Sequence, residues 1–579
     1  MTVKSPAARL PWALLPGLFV LGGVLLSLWL QIFSQGGVVF SGDGGLKALV
    51  AQHLAQQLRM GDFPLDVSLN LPAAEWVEAL WDEGLYPFTT PYVYEVGSQH
   101  FITFPFTFPA VTAPFYALLG DRGMNIVPLV ALWAIWGRFW QIGIRAGWSI
   151  GALCLGLVTL IFAAPLTLYG GMYWEHTLAV ALAFWGVTAL MFPAQPEDRG
   201  VSSTQTPLSN QRVLLSGVLI GLSVWFRPEF FCLVAAVGFL AVVGWLIPKW
   251  KLAPRFTFAQ VCIFGLSMAF TLGLFFALNY GIYGYPLGIH GIQIVEESSP
   301  AEQLQEARAS YTLMWRRLLV YFPMVVLVGI TAFITPELRR PQIKTNKFKT
   351  GKLTSALQRL GVAKRSLNDP MPARFALLLC LLFAIGVPLI VPPGAGGKQW
   401  GPRFYLILMP LLSLVLAEQL RPHFFRRWAR LLVIALSTIV LILGIELNTF
   451  HGAFNTYEDG PSKSLAANYL PIAPAISALK EEPIEWIGMS DQHVAQQLWS
   501  ALPEKTFFRT ETVDKLKQLA AVIASQNENA FLYVCYPHKE CPLPDTAASD
   551  LKLENGQQLT FNFLGDYGKY PLYRVEIGS

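Results

Sequence analysis

Charge is scarce in this sequence. Only 14% of its 579 residues are Asp, Glu, Lys or Arg, while 54% are hydrophobic. A soluble domain carries about a quarter charged residues, so this composition excludes an ordinary soluble chain and belongs to a polytopic membrane protein. Phosphate-cradling glycine loops of the P-loop or dinucleotide kind are missing too, which disfavours a pump with its own nucleotide domain. No internal repeat is evident. The net charge of +5 is small and its basic residues are segregated into particular loops, which argues for orientation in a membrane rather than for nucleic-acid binding. Cysteine is sparse, with six in all. Cys154, Cys232, Cys262 and Cys380 fall in apolar runs, where they pack. Cys535 and Cys541 stand in the polar tail as YVCYPHKEC and could close a small disulfide loop if that tail is extracytoplasmic. His538 alone does not complete a zinc ligand set.

Apolar sequence is what the chain has in plenty, with a mean hydropathy of +0.45. Its 18 Trp, 39 Phe and 19 Tyr suit many membrane interfaces, where amphipathic rings settle. Runs long enough to span occur near 11–32, 122–143, 148–168, 174–192, 212–226, 229–247, 258–280, 317–335, 373–391, 403–420 and 431–449. The expected fold is therefore an all-α polytopic membrane protein of about eleven transmembrane helices, with 212–226 and 229–247 as a hairpin broken at Pro228. The first run is too long for a signal-peptide core and no small-residue cleavage site follows, so it reads as a retained span.

Basic residues orient these runs. The segment 336–372 carries Arg339, Arg340, Lys344, Lys347, Lys349, Lys352, Arg359, Lys364 and Arg365, and is expected to be cytoplasmic with RPHFFRRWAR (421–430). The first loop, 33–121, holds few Lys or Arg and falls outside. The N-terminus is then cytoplasmic and the C-terminus extracytoplasmic. PFTFPAVTAPFYALLGDRG (105–123) is short and proline-rich, and reads as a helix lying at the surface or re-entering the membrane. The outer loop is thus long and structured, beginning with a helix from Gly44 to Met60 whose apolar stripe is Leu46, Val50, Leu54 and Leu58. Loops of that kind usually carry function. Residues 1–450 read as the membrane domain and 451–579 as a small extracytoplasmic α/β domain, with strands over FLYVCY, QLTFNFL and PLYRVEI.

A few polar groups need a reason. Asp43, in FSGDGGLK, is most simply a helix cap, with Lys47 one turn on. Its alternative role is a general base at the outer surface, where flanking glycines let a ligand approach. Glu175 and His176, in YWEHTLA, either cap a helix or form an ionisable pair facing an outer cavity. Arg227 and Glu229, in FRPE, read first as a local ion pair, with lipid-phosphate contact as the alternative for Arg227. Lys398 and Arg403, in GGKQWGPRF, lie on the outer side where positive charge is otherwise rare, and form a good phosphate site if they do not merely snorkel to headgroups. Trp400 lies between them and is placed in the same cavity.

The early outer acid, the "YALLG" turn, the "YWEHTLA" span start, the "FRPE" turn and the late "GPRFYLILMPLLSLVLA" run occur in an order that resembles the GT-C superfamily of integral-membrane glycosyltransferases, over roughly residues 10–450. Within that superfamily the order is similar to that of protein mannosyltransferases and lipid A aminoarabinose transferases. The resemblance implies a polyprenyl-phosphate sugar donor, an extracytoplasmic acceptor hydroxyl on lipid, glycan or protein, and inversion at the anomeric centre. It further implies a plasma (bacterial inner) membrane location, Asp43 as base, and Lys398 with Arg403 on the donor phosphate. Lys47, Glu175, His176, Arg227, Glu229 and Trp400 then line the substrate cavity. Protein mannosyltransferases have an Asp-Glu pair in this loop where Asp43 here precedes Gly44, which leaves donor sugar and acceptor open. No metal is assigned, and a divalent ion near Asp43 or Glu175 is left open. Two rival readings are a flippase or transporter of lipid-linked glycans, which would show repeated halves and mid-membrane charge, and a ligase of preassembled glycans, which would not need Asp43.

Overall fold

The computed structural model describes residues 10–32, 37–40, 42–62, 66–192, 208–250, 252–289, 291–292, 300–333, 371–391, 400–420, 427–454, 467, 469–543 and 551–578. Helices occupy each of the eleven expected runs, from Leu10–Ile32 to Arg427–Ile445. Crossing length is a stricter matter. Among the described residues five helical stretches are long and apolar enough to cross a membrane, or six if the pair Leu304–Tyr321 and Met324–Thr331, bent by 94°, counts as one span. The count of eleven crossings is thus not confirmed among the described residues. Ile150–Phe162, His176–Met191, Phe230–Leu246 and Leu408–Gln419 are apolar but short. At about 1.5 Å per residue a helix needs roughly 20 residues to cross the hydrocarbon.

Local sequence explains several of these ends. Ser149 caps Ile150–Phe162 by accepting from the Ala152 amide, and a capping box of Thr257 and Gln260 opens Phe258–Tyr283. Gly120, with φ +63, ends the helix Thr107–Leu119. The following turn packs back so closely that a Cβ on Gly123 would meet the Phe115 carbonyl at 2.0 Å. The chain thus doubles back before the helix Ile126–Arg145 begins.

The segment between the first helix and Thr107–Leu119 is not purely helical. Strands β1 (Val93–Val96) and β2 (Gln99–Ile102) form an antiparallel hairpin that was not foreseen in its acidic, aromatic stretch. Lys47 also departs from expectation. Expected off the apolar stripe of Gly42–Met60, it is as buried as Leu46, Val50 and Leu54. A carboxylate from another segment makes that burial tolerable, as the site geometry shows.

The C-terminal segment carries six strands: β3 (Trp486–Met489), β4 (Thr506–Arg509), β5 (Ala530–Val534), β6 (Leu551–Lys552), β7 (Gln558–Tyr567) and β8 (Tyr570–Gly578). Their order across the sheet is β4-β3-β5-β8-β7-β6, with β3 parallel to β4 and β5 and the remaining pairs antiparallel. Cys535 and Cys541 are disulfide-bonded just after β5. This unit docks onto the segment that follows the first helix through large side chains. Trp76 packs edge-on against Trp486 with centroids 4.7 Å apart, and the Trp81 indole donates to the Phe507 carbonyl at 3.1 Å. The Trp499 indole donates to the Gly37 carbonyl at 2.6 Å. Such buried aromatics contribute both apolar area and fixed orientation.

Candidate functional site

Two groups of charged side chains gather where the helix Gly42–Met60 meets the starts of His176–Met191 and Phe230–Leu246 and the turn at Arg403. The first is closed. Lys47 Nζ lies 2.6 Å from Glu175 Oε2, Arg227 Nη1 lies 2.9 Å from Glu175 Oε1, and Arg227 Nε lies 2.8 Å from Glu229 Oε1. The Lys47 and Glu175 side chains are each only 1% exposed. Sequence places these residues sensibly: Glu175 directly precedes the helix His176–Met191, and Arg227 and Glu229 form the turn at Pro228 between Asn210–Phe226 and Phe230–Leu246. The four residues come from three parts of the chain and neutralise one another. Burial lowers the Lys47 ammonium below its ordinary range, while Glu175 and then Asp43 pull it back up. Lys47 also sits 4.3 Å over the Phe104 ring, a further stabilising contact for a desolvated cation.

These four residues were expected to line an open cavity. They are buried and bonded to one another instead. His176 is buried as well, stacked on Trp174 with centroids 4.5 Å apart, and neither ring nitrogen has a hydrogen-bond partner among the described residues. Trp400 lies behind this group. Its carbonyl accepts from the Tyr169 hydroxyl at 2.8 Å, and its indole donates to Asn448 Oδ1 at 3.2 Å.

The second group is open. Asp43 sits in the first turn of Gly42–Met60, and Arg403 opens a short 3₁₀ turn just before Leu408–Gln419. Arg403 Nη1 approaches Asp43 Oδ2 at 3.8 Å, with side chains 19% and 16% exposed. That distance is an ion pair but not a hydrogen bond, so both groups keep capacity for a ligand. The Arg403 guanidinium lies 4.8 Å from the Phe404 ring and 5.4 Å from the Trp174 ring, and its buried Nε has no partner among the described residues. Aromatic faces hold a guanidinium in place without consuming its N–H donors. Lys398 lies outside the described residues.

The backbone ahead of Asp43 is unusual. Phe40 is buried with φ +54, a left-handed conformation that costs a non-glycine residue of order 1 kcal/mol and persists only when its surroundings enforce it. Phe40 touches the Tyr469 ring, and the Val39 carbonyl accepts from the Tyr173 amide at 3.2 Å. Gly45 is required for another reason. A Cβ there would meet the Gln496 carbonyl oxygen at 1.7 Å, so the C-terminal helix Gln492–Gln497 rests directly on the Asp43 turn.

Sequence reading missed Trp174, Phe104 and Phe404, whose rings face the cations, because aromatic residues abound in every apolar run. Trp174 alone carried a local signal, its place beside Glu175 and His176. Among the described residues no group of three or more His, Cys, Asp or Glu side chains is gathered as for a metal ion.

No protein-family model and no curated protein matches this sequence. Among solved structures the chain is similar to ArnT from Cupriavidus metallidurans bound to undecaprenyl phosphate, with 12% identity, TM-score 0.49 and coverage of 98% of each chain. It is also similar to the apo oligosaccharyltransferase of Archaeoglobus fulgidus, with 12% identity, TM-score 0.42, 89% of this chain and 69% of that one. The oligosaccharyltransferase AglB from Archaeoglobus fulgidus in complex with an inhibitory peptide and a dolichol-phosphate gives 13% identity and TM-score 0.39, over 90% of this chain and 69% of that one. With TM-scores below 0.5, these likenesses carry no assignment of activity or of residues.

Proposed function

We propose that this chain is an integral-membrane glycosyltransferase that moves a sugar from a polyprenyl-phosphate donor to an acceptor hydroxyl on the extracytoplasmic face. The observation that carries this reading is the Asp43–Arg403 pair: a partly exposed carboxylate and a partly exposed, aromatic-clamped guanidinium held 3.8 Å apart beside a sealed charged cluster. In the proposed step the acceptor oxygen forms a bond to the anomeric carbon as the bond from that carbon to the phosphate oxygen breaks. Asp43 takes the acceptor proton, and the bonding electrons leave with the polyprenyl phosphate. Arg403 stabilises that phosphate, which gains charge as it departs. Attack opposite the leaving group inverts the anomeric centre. Lys398 belongs to the same proposal as a second phosphate ligand.

The reading places the N-terminus in the cytoplasm and the C-terminal sheet outside, in the plasma (bacterial inner) membrane, with 1–450 as transferase domain and 451–579 as extracytoplasmic domain. The disulfide between Cys535 and Cys541 supports an oxidising compartment for that sheet. The test is transfer or hydrolysis of labelled undecaprenyl-phosphate sugars by the full chain in nanodiscs. Full activity in Asp43→Asn would sink the proposed base and favour the ligase reading instead. Movement of intact lipid-linked glycan across vesicles, without sugar release, would favour the transporter.

A further inference from the structure

Across from the Asp43 turn stands a second polar cluster, built where the C-terminal unit meets the first outer loop. Asp491, 2% exposed, accepts from His493 Nδ1 at 2.5 Å and pairs through its other oxygen with Lys539 at 2.5 Å. The His493 amide also donates to Asp491 Oδ1 at 2.8 Å. This fixes the imidazole so that Nδ1 carries the proton toward Asp491 and Nε2 faces away, 3.3 Å from the Tyr92 hydroxyl. Tyr536 stacks on the ring from behind, with centroids 5.3 Å apart, and the Cys535–Cys541 disulfide closes the loop that carries Tyr536 and Lys539. The His493 side chain remains 28% exposed. A solvated surface histidine needs no such backing.

Three observations place this cluster against the first loop and the Asp43–Arg403 pair. The helix bearing His493 lies on the Asp43 turn, where the Gln496 carbonyl requires glycine at position 45. The amides of Gln492 and Thr89 hold the two walls together, with Thr89 N donating to Gln492 Oε1 at 3.0 Å. Tyr92 lies in the field of both walls: burial raises its hydroxyl, Asp43 and Asp491 push it the same way, and Arg403 opposes them. A further side chain points to a missing polar partner. Gln496 is fully buried, its Nε2 and Oε1 both lack a hydrogen-bond partner among the described residues, and Oε1 lies 3.8 Å from where a Gly42 Cβ would sit. An unsatisfied buried amide costs about 1–3 kcal/mol and wants a group that both donates and accepts.

We infer that Tyr92, His493 and Gln496 form the sugar-recognition wall of the Asp43–Arg403 site, with His493 hydrogen-bonding donor-sugar hydroxyls and Asp491 as its positioning residue. This rests on the transferase reading and deepens it. Imidazole, phenol and amide together offer both donors and acceptors. Sugar hydroxyls match that set, whereas the phosphate is matched by Arg403 below.

The test measures binding of undecaprenyl phosphate and of undecaprenyl-phosphate glucose, mannose and arabinose to the full chain in nanodiscs. His493→Ala is expected to weaken at least one sugar-bearing lipid about tenfold, the worth of one well-placed hydrogen bond, and to leave sugar-free undecaprenyl phosphate unchanged. His493→Gln should recover part of the loss, and Asp491→Asn should reproduce it. Equal weakening of sugar-bearing and sugar-free lipids would reduce the cluster to a domain latch, and no weakening of either would also overturn the inference. If His493→Ala does not fold, Tyr92→Phe and His493→Gln are read by the same criterion. Arg403→Ala separates the two levels, because it must weaken the sugar-free lipid. If it does not, or if the wild-type chain binds no undecaprenyl phosphate, the transferase reading itself falls.

Discussion

Glu175 and Asp43 are both carboxylates beside basic side chains, yet they are held in opposite ways. Glu175 has each oxygen taken, one by Lys47 and one by Arg227, and water is shut out. Asp43 has one partner at 3.8 Å and remains accessible. Taking ions out of water is expensive, so a sealed cluster survives only when every charge is matched. An open pair can leave part of its hydrogen-bonding capacity unused, since water fills it until a ligand does. Residues that look alike in the sequence therefore differ in space: the Glu175 cluster is saturated, and the Asp43–Arg403 pair keeps hydrogen-bonding capacity.

Breaking the sealed cluster should have the largest effect. Glu175→Ala strands Lys47 and Arg227, and should cost about 3–5 kcal/mol, seen as loss of folded protein and a lowered thermal unfolding midpoint in detergent. Adding Lys47→Met should restore part of that loss. A Glu175→Ala protein as stable as wild type would erase the distinction. On the open side the effect should move from stability to rate. Asp43→Asn should lower the turnover of labelled polyprenyl-phosphate sugars by about 10²–10⁴ while the unfolding midpoint stays put. Arg403→Ala should act mainly through KM for the donor, by about 10–100-fold, because charge-assisted hydrogen bonds to phosphate are lost. A turnover defect with unchanged KM would move Arg403 from binding to another role.

The smallest effect is a pH dependence in the C-terminal unit. Burial works against the Asp491 carboxylate, but hydrogen bonds from His493 and Lys539 outweigh it and hold the carboxyl below its usual range. A depressed folded value means stability that is present above the unfolded value, about 3.9, and is lost as pH falls through the folded one. Wild type should therefore exceed Asp491→Asn in unfolding midpoint at neutral pH, and the gap should shrink below about pH 4. A gap that persists unchanged at pH 2 would mean the carboxylate's charge is not what stabilises this corner.

Much of the helical framework was legible in the sequence, because spacing and hydropathy are local properties. Leu46, Val50 and Leu54 read as a buried stripe and are buried. The runs at 531–536, 558–564 and 571–577 read as strands and coincide with β5, β7 and β8. Strands β3 and β4 were missed, being four residues each and embedded in helix-like surroundings. Lys47 was placed in the cavity but its sealed pairing was not foreseen, because nothing nearby in the chain announces Glu175, 128 positions on. His493 was passed over for the same reason: its partner Tyr92 is 401 positions away.

Composition and periodicity by themselves determined that this is a membrane protein of many helices with a polar α/β tail, since burial in lipid or in a sheet imposes patterns on neighbouring residues. Only the tertiary structure decided which carboxylate is sealed and which is open. That outcome depends on what four separate segments bring to one point, and electrostatic matching across space leaves no mark on any one of them.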